Sequence, residues 1–254
     1  PQGASLLKDG FASISYITST KPDGEVNVKS TYPTVEKKVK EESLDYGQEA
    51  AYTLTSKVPD TTGYSEYIFK MTDTLSKGLT LNPNGVTVKI DGKDMTNDPK
   101  ITCSPDVTNG KLVIEFKMLE LQTFKGKTIE VTYHAAINEN AVIGQKGNSN
   151  KVTLQYSNNP KNVKETATTT DEKNVYTAAI TIDKCDGKDE TIKLLGAEFV
   201  LRDGTDTTAK YYRLEDGKVT WVEKESDATK VVTNEKGRAD FKGLKNGTYY
   251  LEET

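Results

Sequence analysis

Cysteine, histidine and tryptophan are scarce in this sequence: two, one and one among 254 residues. The two thiols, Cys103 and Cys185, fall in what read as different domains, so no disulfide framework holds the chain together. A cysteine nucleophile at Cys103 would lack the sequence context that such a residue needs. With His134 alone there is no metal-ligand spacing and no Ser/His/Asp order; phosphate-loop patterns are also missing, so no metal, cofactor or turnover enzyme is expected. Asp203-Gly204-Thr205-Asp206 lacks a full calcium-loop pattern and reads as a turn. No apolar run is long enough to span a bilayer, and Pro1 to Gly10 lacks the basic-then-apolar pattern of a signal peptide, which suits a trimmed portion of something larger. Lys and Arg (34) are scattered among Asp and Glu (38) for a net charge of -4, so no line of phosphates would be neutralised and nucleic acid is not an expected partner.

What is present is a strand-forming composition. Hydrophobic residues make up 34% and charged residues 28%, with 13 tyrosines and abundant threonine, a mixture that suits half-buried strands. The length accommodates two domains with separate cores. Turn chemistry recurs every several residues (Pro22-Asp23-Gly24, Asn82-Pro83-Asn84-Gly85, Asp91-Gly92, Asn109-Gly110, Lys125-Gly126, Asp216-Gly217) and short alternating runs lie between, the pattern of antiparallel sandwiches. The expected fold is therefore all-β, with tandem immunoglobulin-like sandwiches. Residues 1–30 read as the tail of a preceding domain or a lead-in strand, 31–160 as the first sandwich and 161–254 as the second. The polar, Thr-rich stretch 157–173 is taken as the boundary because it has no apolar periodicity.

Side chains alternate faces along a strand, so parity shows which residues share the core side. Three polar residues of the first domain fall on that side. Lys37 shares a face with Val35 and Val39; Asp73 with Tyr67, Phe69, Met71 and Leu75; Asn150 with Val152, Leu154 and Tyr156. Each is costly to bury unless they find one another. Together they form a reactive set, because burial lowers a lysine pKa and raises an aspartate pKa, giving a neutral amine beside a protonated acid. The amine can attack the carboxamide carbon while the acid polarises the amide and relays protons as ammonia leaves. The product is an isopeptide bond made once per molecule, with Lys38 and Asn148 as fallback participants. Such a bond would enclose about 113 residues, worth on the order of 5 kcal/mol by chain entropy.

In the second domain, Ile180-Thr181-Ile182-Asp183-Lys184, Leu195-Gly196-Ala197-Glu198-Phe199-Val200-Leu201, Asn234 to Leu244 and Asn246-Gly247-Thr248-Tyr249-Tyr250-Leu251-Glu252-Glu253-Thr254 occur in order. This set resembles the collagen-adhesin B-type (CnaB-like) domain of Gram-positive, sortase-assembled pilins, the last motif being similar to the start of the pilin E-box. The resemblance implies that Lys184 is an isopeptide amine and Glu253 its catalytic acid, with an Asn partner on a strand beyond the E-box, so that the second crosslink is not expected to close within this sequence. The first domain resembles the A-type (CnaA-like) pilin domain, with an early Lys, an Asp-x-Leu strand end (Asp73-Thr74-Leu75) and an Asn ahead of Tyr156-Ser157-Asn158-Asn159-Pro160.

The family's Val-Tyr-Pro-Lys type motif, whose Lys sortase joins to the next subunit, is matched here by Thr31-Tyr32-Pro33-Thr34, with Thr in the lysine's place and Lys29 off register. The resemblance implies a structural subunit of a cell wall-attached, extracellular pilus, joined by sortase to other pilin subunits and supporting adhesion. A second reading keeps the same domains but makes the chain a minor pilin or wall-anchored adhesin that binds a host surface or matrix protein. Trp221, in a predicted hairpin, is expected to be packed instead of presented to such a partner.

Overall fold

The computed structural model describes residues 32–254, so the segment 1–30, with Lys29, and Thr31 lie outside the described residues. The first domain runs through β1 (Glu36–Val39), β2 (Glu49–Lys57), β3 (Phe69–Leu75), β4 (Leu79–Leu81), β5 (Thr87–Ile90), β6 (Lys93–Asp94), β7 (Ile101–Asp106), β8 (Lys111–Phe116), β9 (Thr128–Ile137), β10 (Asn148–Ser157) and β11 (Thr166–Val175). One sheet has the order β1-β2-β9-β5-β6, with β4 also paired to β9; the other has the order β11-β10-β3-β8-β7. Their apolar faces meet in one core. Leu54, Val88, Ile129 and Val131 come from the first sheet and Met71, Leu112, Ile114, Val152 and Leu154 from the second, all fully buried. Each such side chain contributes roughly 1.5–3 kcal/mol of burial. The Asp91-Gly92 turn joins β5 to β6 with φ of 53° and 78°, the left-handed pair that a tight hairpin requires.

The stretch 157–173, taken as the boundary, returns to strand at Thr166, where β11 begins. All of β11 pairs with β10, from Asn148↔Val175 to Ser157↔Thr166, so the first domain extends to Val175 and the boundary placed at 160/161 moves accordingly. The sequence of β11, TATTTDEKNV, lacks an apolar face because it is an edge strand: it is held by backbone pairing on one side, where threonine fits the pleat without being buried.

The second domain contains β12 (Ala178–Asp183), β13 (Glu198–Arg202), β14 (Tyr211–Glu215), β15 (Lys218–Val222), β16 (Val231–Val232), β17 (Arg238–Leu244) and β18 (Tyr250–Glu253). β12 pairs with β17, while β13 is flanked by β14, β16 and β18. The expected hairpin at Asp216-Gly217 is present, with φ of 50° and 70°. Phe199, Val200, Leu201, Tyr212, Phe241 and Leu244 form the core.

The β1–β2 loop of the first domain seats the second. Tyr46 N–H donates to Gly243 O at 2.9 Å and Val219 N–H donates to Tyr46 O at 2.9 Å. The fully buried carboxylate of Asp45 accepts from Lys245 N–H at 2.7 Å and from Trp221 Nε1–H at 3.1 Å. Trp221 stacks on Tyr249, at 5.5 Å between ring centres, and is therefore packed as expected. Gly243 has φ of 73°, and the Tyr46 ring occupies the space that a side chain there would need.

Candidate functional site: a buried lysine, aspartate and asparagine

Alternation places the three polar residues of the first domain where parity expected them. Lys37 comes from β1 in one sheet, Asp73 and Asn150 from the adjacent strands β3 and β10 in the other, and all three are 0% exposed. Lys37 Nζ donates to Asp73 Oδ1 in a short contact, and to Tyr133 Oη at 2.8 Å. Tyr133 Oη–H in turn donates to Asp73 Oδ2, and Asn150 Nδ2–H donates to Tyr133 Oη at 3.0 Å. One phenol hydroxyl thus touches the amine, the acid and the carboxamide, using its single proton and both lone pairs.

Aromatic rings wall this polar cluster off from water. Tyr52 and Tyr133 stack at 5.4 Å between centres with planes 12° apart, and Lys37 Nζ lies 5.0 Å from the Tyr52 centroid and 5.5 Å from that of Tyr133. Burial pulls the Lys37 amine down to about 8, against the opposing pull of Asp73, Asp171 and Glu172. Burial likewise pushes the Asp73 carboxyl up, although Lys37, Tyr133 and Asn150 favour its charged form. Both shifts favour the uncharged pair, an amine with a free lone pair next to a carboxylic acid. Asn150 Oδ1 is buried and has no hydrogen-bond partner among the described residues, which leaves the carbonyl unshielded beside these groups.

The fallback residues play other parts. Lys38 is exposed and pairs with Glu36. Asn148 is buried, but its carboxamide is tied to the backbone of Val142, which donates to Oδ1 at 2.8 Å and accepts from Nδ2 at 3.0 Å. Parity reasoning passed over Tyr133, Tyr52 and Asp171, whose Oδ2 accepts the Lys37 backbone N–H at 2.7 Å. The signal for Tyr133 was available: it shares the inward face with Ile129 and Val131, and a buried phenol needs a partner for its hydroxyl.

This sandwich pair has close counterparts. Residues 46–160 match the model of the Gram-positive pilin backbone subunit 2, Cna-B-like domain, and residues 178–254 match the prealbumin-like fold domain model. The chain is similar in both domains to Gram-positive backbone pilins. The chain is 29% identical over 263 residues to the trypsin-resistant surface T6 protein of Streptococcus pyogenes serotype M6, covering 91% of this chain and 44% of that protein. The solved T6 backbone pilin of serotype M6 superposes with a TM-score of 0.70 at 26% identity, over 89% of this chain and 49% of that one. The group B streptococcus pilus 2b backbone protein gives 0.66 at 25% identity, over 85% and 82%. The chain thus spans less than half the length of the T6 protein. For the first domain the matching model is described as Cna-B-like, where the sequence resemblance pointed to the A-type.

In the second domain, Lys184 and Glu253 do meet. Lys184 follows β12, Glu253 lies on β18, and Nζ donates to Oε2 at 2.7 Å with the Phe199 ring 5.9 Å from the amine. The setting differs from that of Lys37, because the two side chains remain 30% and 49% exposed. Water still reaches this pair, whereas the Lys37 and Asp73 side chains are fully buried.

Proposed function

We propose that this chain is a structural part of the shaft of a surface pilus, locked by an isopeptide bond between Lys37 and Asn150 that Asp73 helps to form. The observation that carries the proposal is the meeting of Lys37, Asp73 and Asn150, each 0% exposed, around the single hydroxyl of Tyr133 between the two sheets. The uncharged Lys37 amine adds to Asn150 Cγ and pushes the carbonyl electron pair onto Oδ1. Collapse of that adduct breaks the Cγ–Nδ2 bond, Nδ2 leaves as ammonia, and Asp73 supplies and recovers the proton. The site turns over once, so the protein is a structural element and not an enzyme.

The bond would tie one sheet to the other and enclose about 113 residues, a constraint worth on the order of 5 kcal/mol. Under tension or in the presence of proteases its kinetic effect is larger, since the enclosed part of the domain cannot be drawn out. In the second domain, Lys184 as amine and Glu253 as acid would act only against a carboxamide brought over them by a further strand. Partners of the shaft would be other pilin subunits joined by sortase, at the bacterial surface.

Tryptic peptide mapping tests the crosslink: a branched peptide joining Lys37 to Asn150 is expected, and separate linear peptides would contradict it. Incubation of the chain, in its full-length protein, with a pilus-class sortase tests the assembly role, the expected product being a ladder of covalent multimers.

A further inference from the structure

We infer that Tyr133 is a catalytic residue of the crosslinking reaction, its hydroxyl carrying a proton between the attacking and leaving nitrogens. The inference rests on the proposed Lys37–Asn150 reaction and adds a participant to it. Forming the new amide requires the former Lys37 amine to lose a proton and Nδ2 to gain one before it departs. Those two nitrogens are the donors that Tyr133 Oη accepts from, at 2.8 Å and 3.0 Å. The hydroxyl's own proton points at Asp73 Oδ2.

A closed circuit follows from these contacts. Tyr133 Oη takes the proton released by Nζ as its bond to Cγ forms, and Nδ2 receives a proton from the same hydroxyl, directly or after exchange with Asp73. The C–N bond to Lys37 forms, the C–N bond to ammonia breaks, and Tyr133 ends as the neutral phenol it began as. No oxidant or further reactant enters. Asp73 bonds to Nζ and to the phenol, and the Asn150 carboxamide lies close enough to favour its charged form. The phenol oxygen accepts from both nitrogens at once, which is the geometry a general acid–base needs.

Tyr133 is fully buried, and its ring stacks on Tyr52. Tyr133→Phe keeps that ring and deletes only the hydroxyl. Crosslinking of freshly translated chain, followed by the loss of one ammonia in the intact mass, is expected to be about 10²-fold slower in Tyr133→Phe than in wild type. Circular dichroism confirms that the variant has folded. A folded Tyr133→Phe chain that crosslinks at the wild-type rate overturns the inference while leaving the Lys37–Asn150 reaction intact. A wild-type chain that never loses ammonia overturns the reaction and the inference together. Should the Phe variant not fold, site-specific 3,5-difluorotyrosine at position 133 keeps the hydroxyl and the packing while making the phenol more acidic. The relay then requires the pH–rate profile to move, and a profile identical to that of wild type overturns it.

Discussion

Lys37 and Asn150 belong to opposite sheets and are far apart in the chain, yet both donate to the hydroxyl oxygen of Tyr133, at 2.8 Å and 3.0 Å. Neither residue reaches water, and both are held by strands whose register is fixed by the apolar residues on either side. The site is therefore as rigid as the core that contains it, which suits a reaction that relies on proximity.

Crosslinking should have a bell-shaped pH dependence. Below about 8 the Lys37 amine gains its proton and loses its lone pair. Rising pH also takes the proton from the Asp73 carboxyl, whose pKa burial has raised, so that it ceases to act as an acid. The rate of ammonia loss in freshly translated chain is thus expected to peak between these two events and to fall on both sides. A rate independent of pH would contradict the assignment of roles.

Removing the carboxamide should cost the constraint without emptying the core. Asn150→Ala is expected to lower stability by roughly 5 kcal/mol, chiefly through the freed loop, as read by denaturant unfolding of the two proteins. Asp73→Ala should lose the bond as well, and in addition leave the Lys37 amine buried without its partner, a disruption of roughly 3–5 kcal/mol.

The proposed crosslink would not join the first strand to the last. Lys37 is on β1, but β10, which carries Asn150, is followed by β11, whose Lys173 lies opposite Asn150. A pull on the second domain therefore bypasses the enclosed loop and loads the β10–β11 hairpin at its open end. Single-molecule stretching should show an extension of about 25 residues, roughly 85 Å of contour, from segment 151–175 while the rest of the domain stays closed. Equal resistance throughout the domain would show that the edge contacts of β11, such as that of Asp171 with the Lys37 backbone, hold it in place.

The joint between the domains hinges on Asp45. Asp45→Ala removes the acceptor for Trp221 Nε1–H and for the Lys245 backbone N–H, leaving two donors unsatisfied at a cost of about 1–3 kcal/mol each. Small-angle scattering is expected to report a broader distribution of inter-domain distances in this variant.

Much of this architecture could be read from the sequence, for identifiable reasons. Period-2 alternation put Lys37, Asp73 and Asn150 on inward faces, because a one-residue slip in β1, β3 or β10 would have turned Val35, Met71 or Leu154 outward. Parity cannot show which inward residues face each other across the sandwich, so the hydroxyl of Tyr133, the hub of the cluster, is not legible from the β9 sequence alone. Edge strand β11 carries no alternation, because its binding to β10 runs through the backbone, and a stretch rich in threonine therefore read as a linker. Glu253 and Lys184 are in contact, while their exposure depends on what covers β13 and β18, which no local pattern encodes.

The intact mass of the recombinant chain, measured beside Lys37→Ala and Asp73→Ala, tests the central claim most directly. The account predicts a wild-type mass short by one ammonia, with the full mass restored in both variants. A wild-type chain at its full, unmodified mass would contradict it.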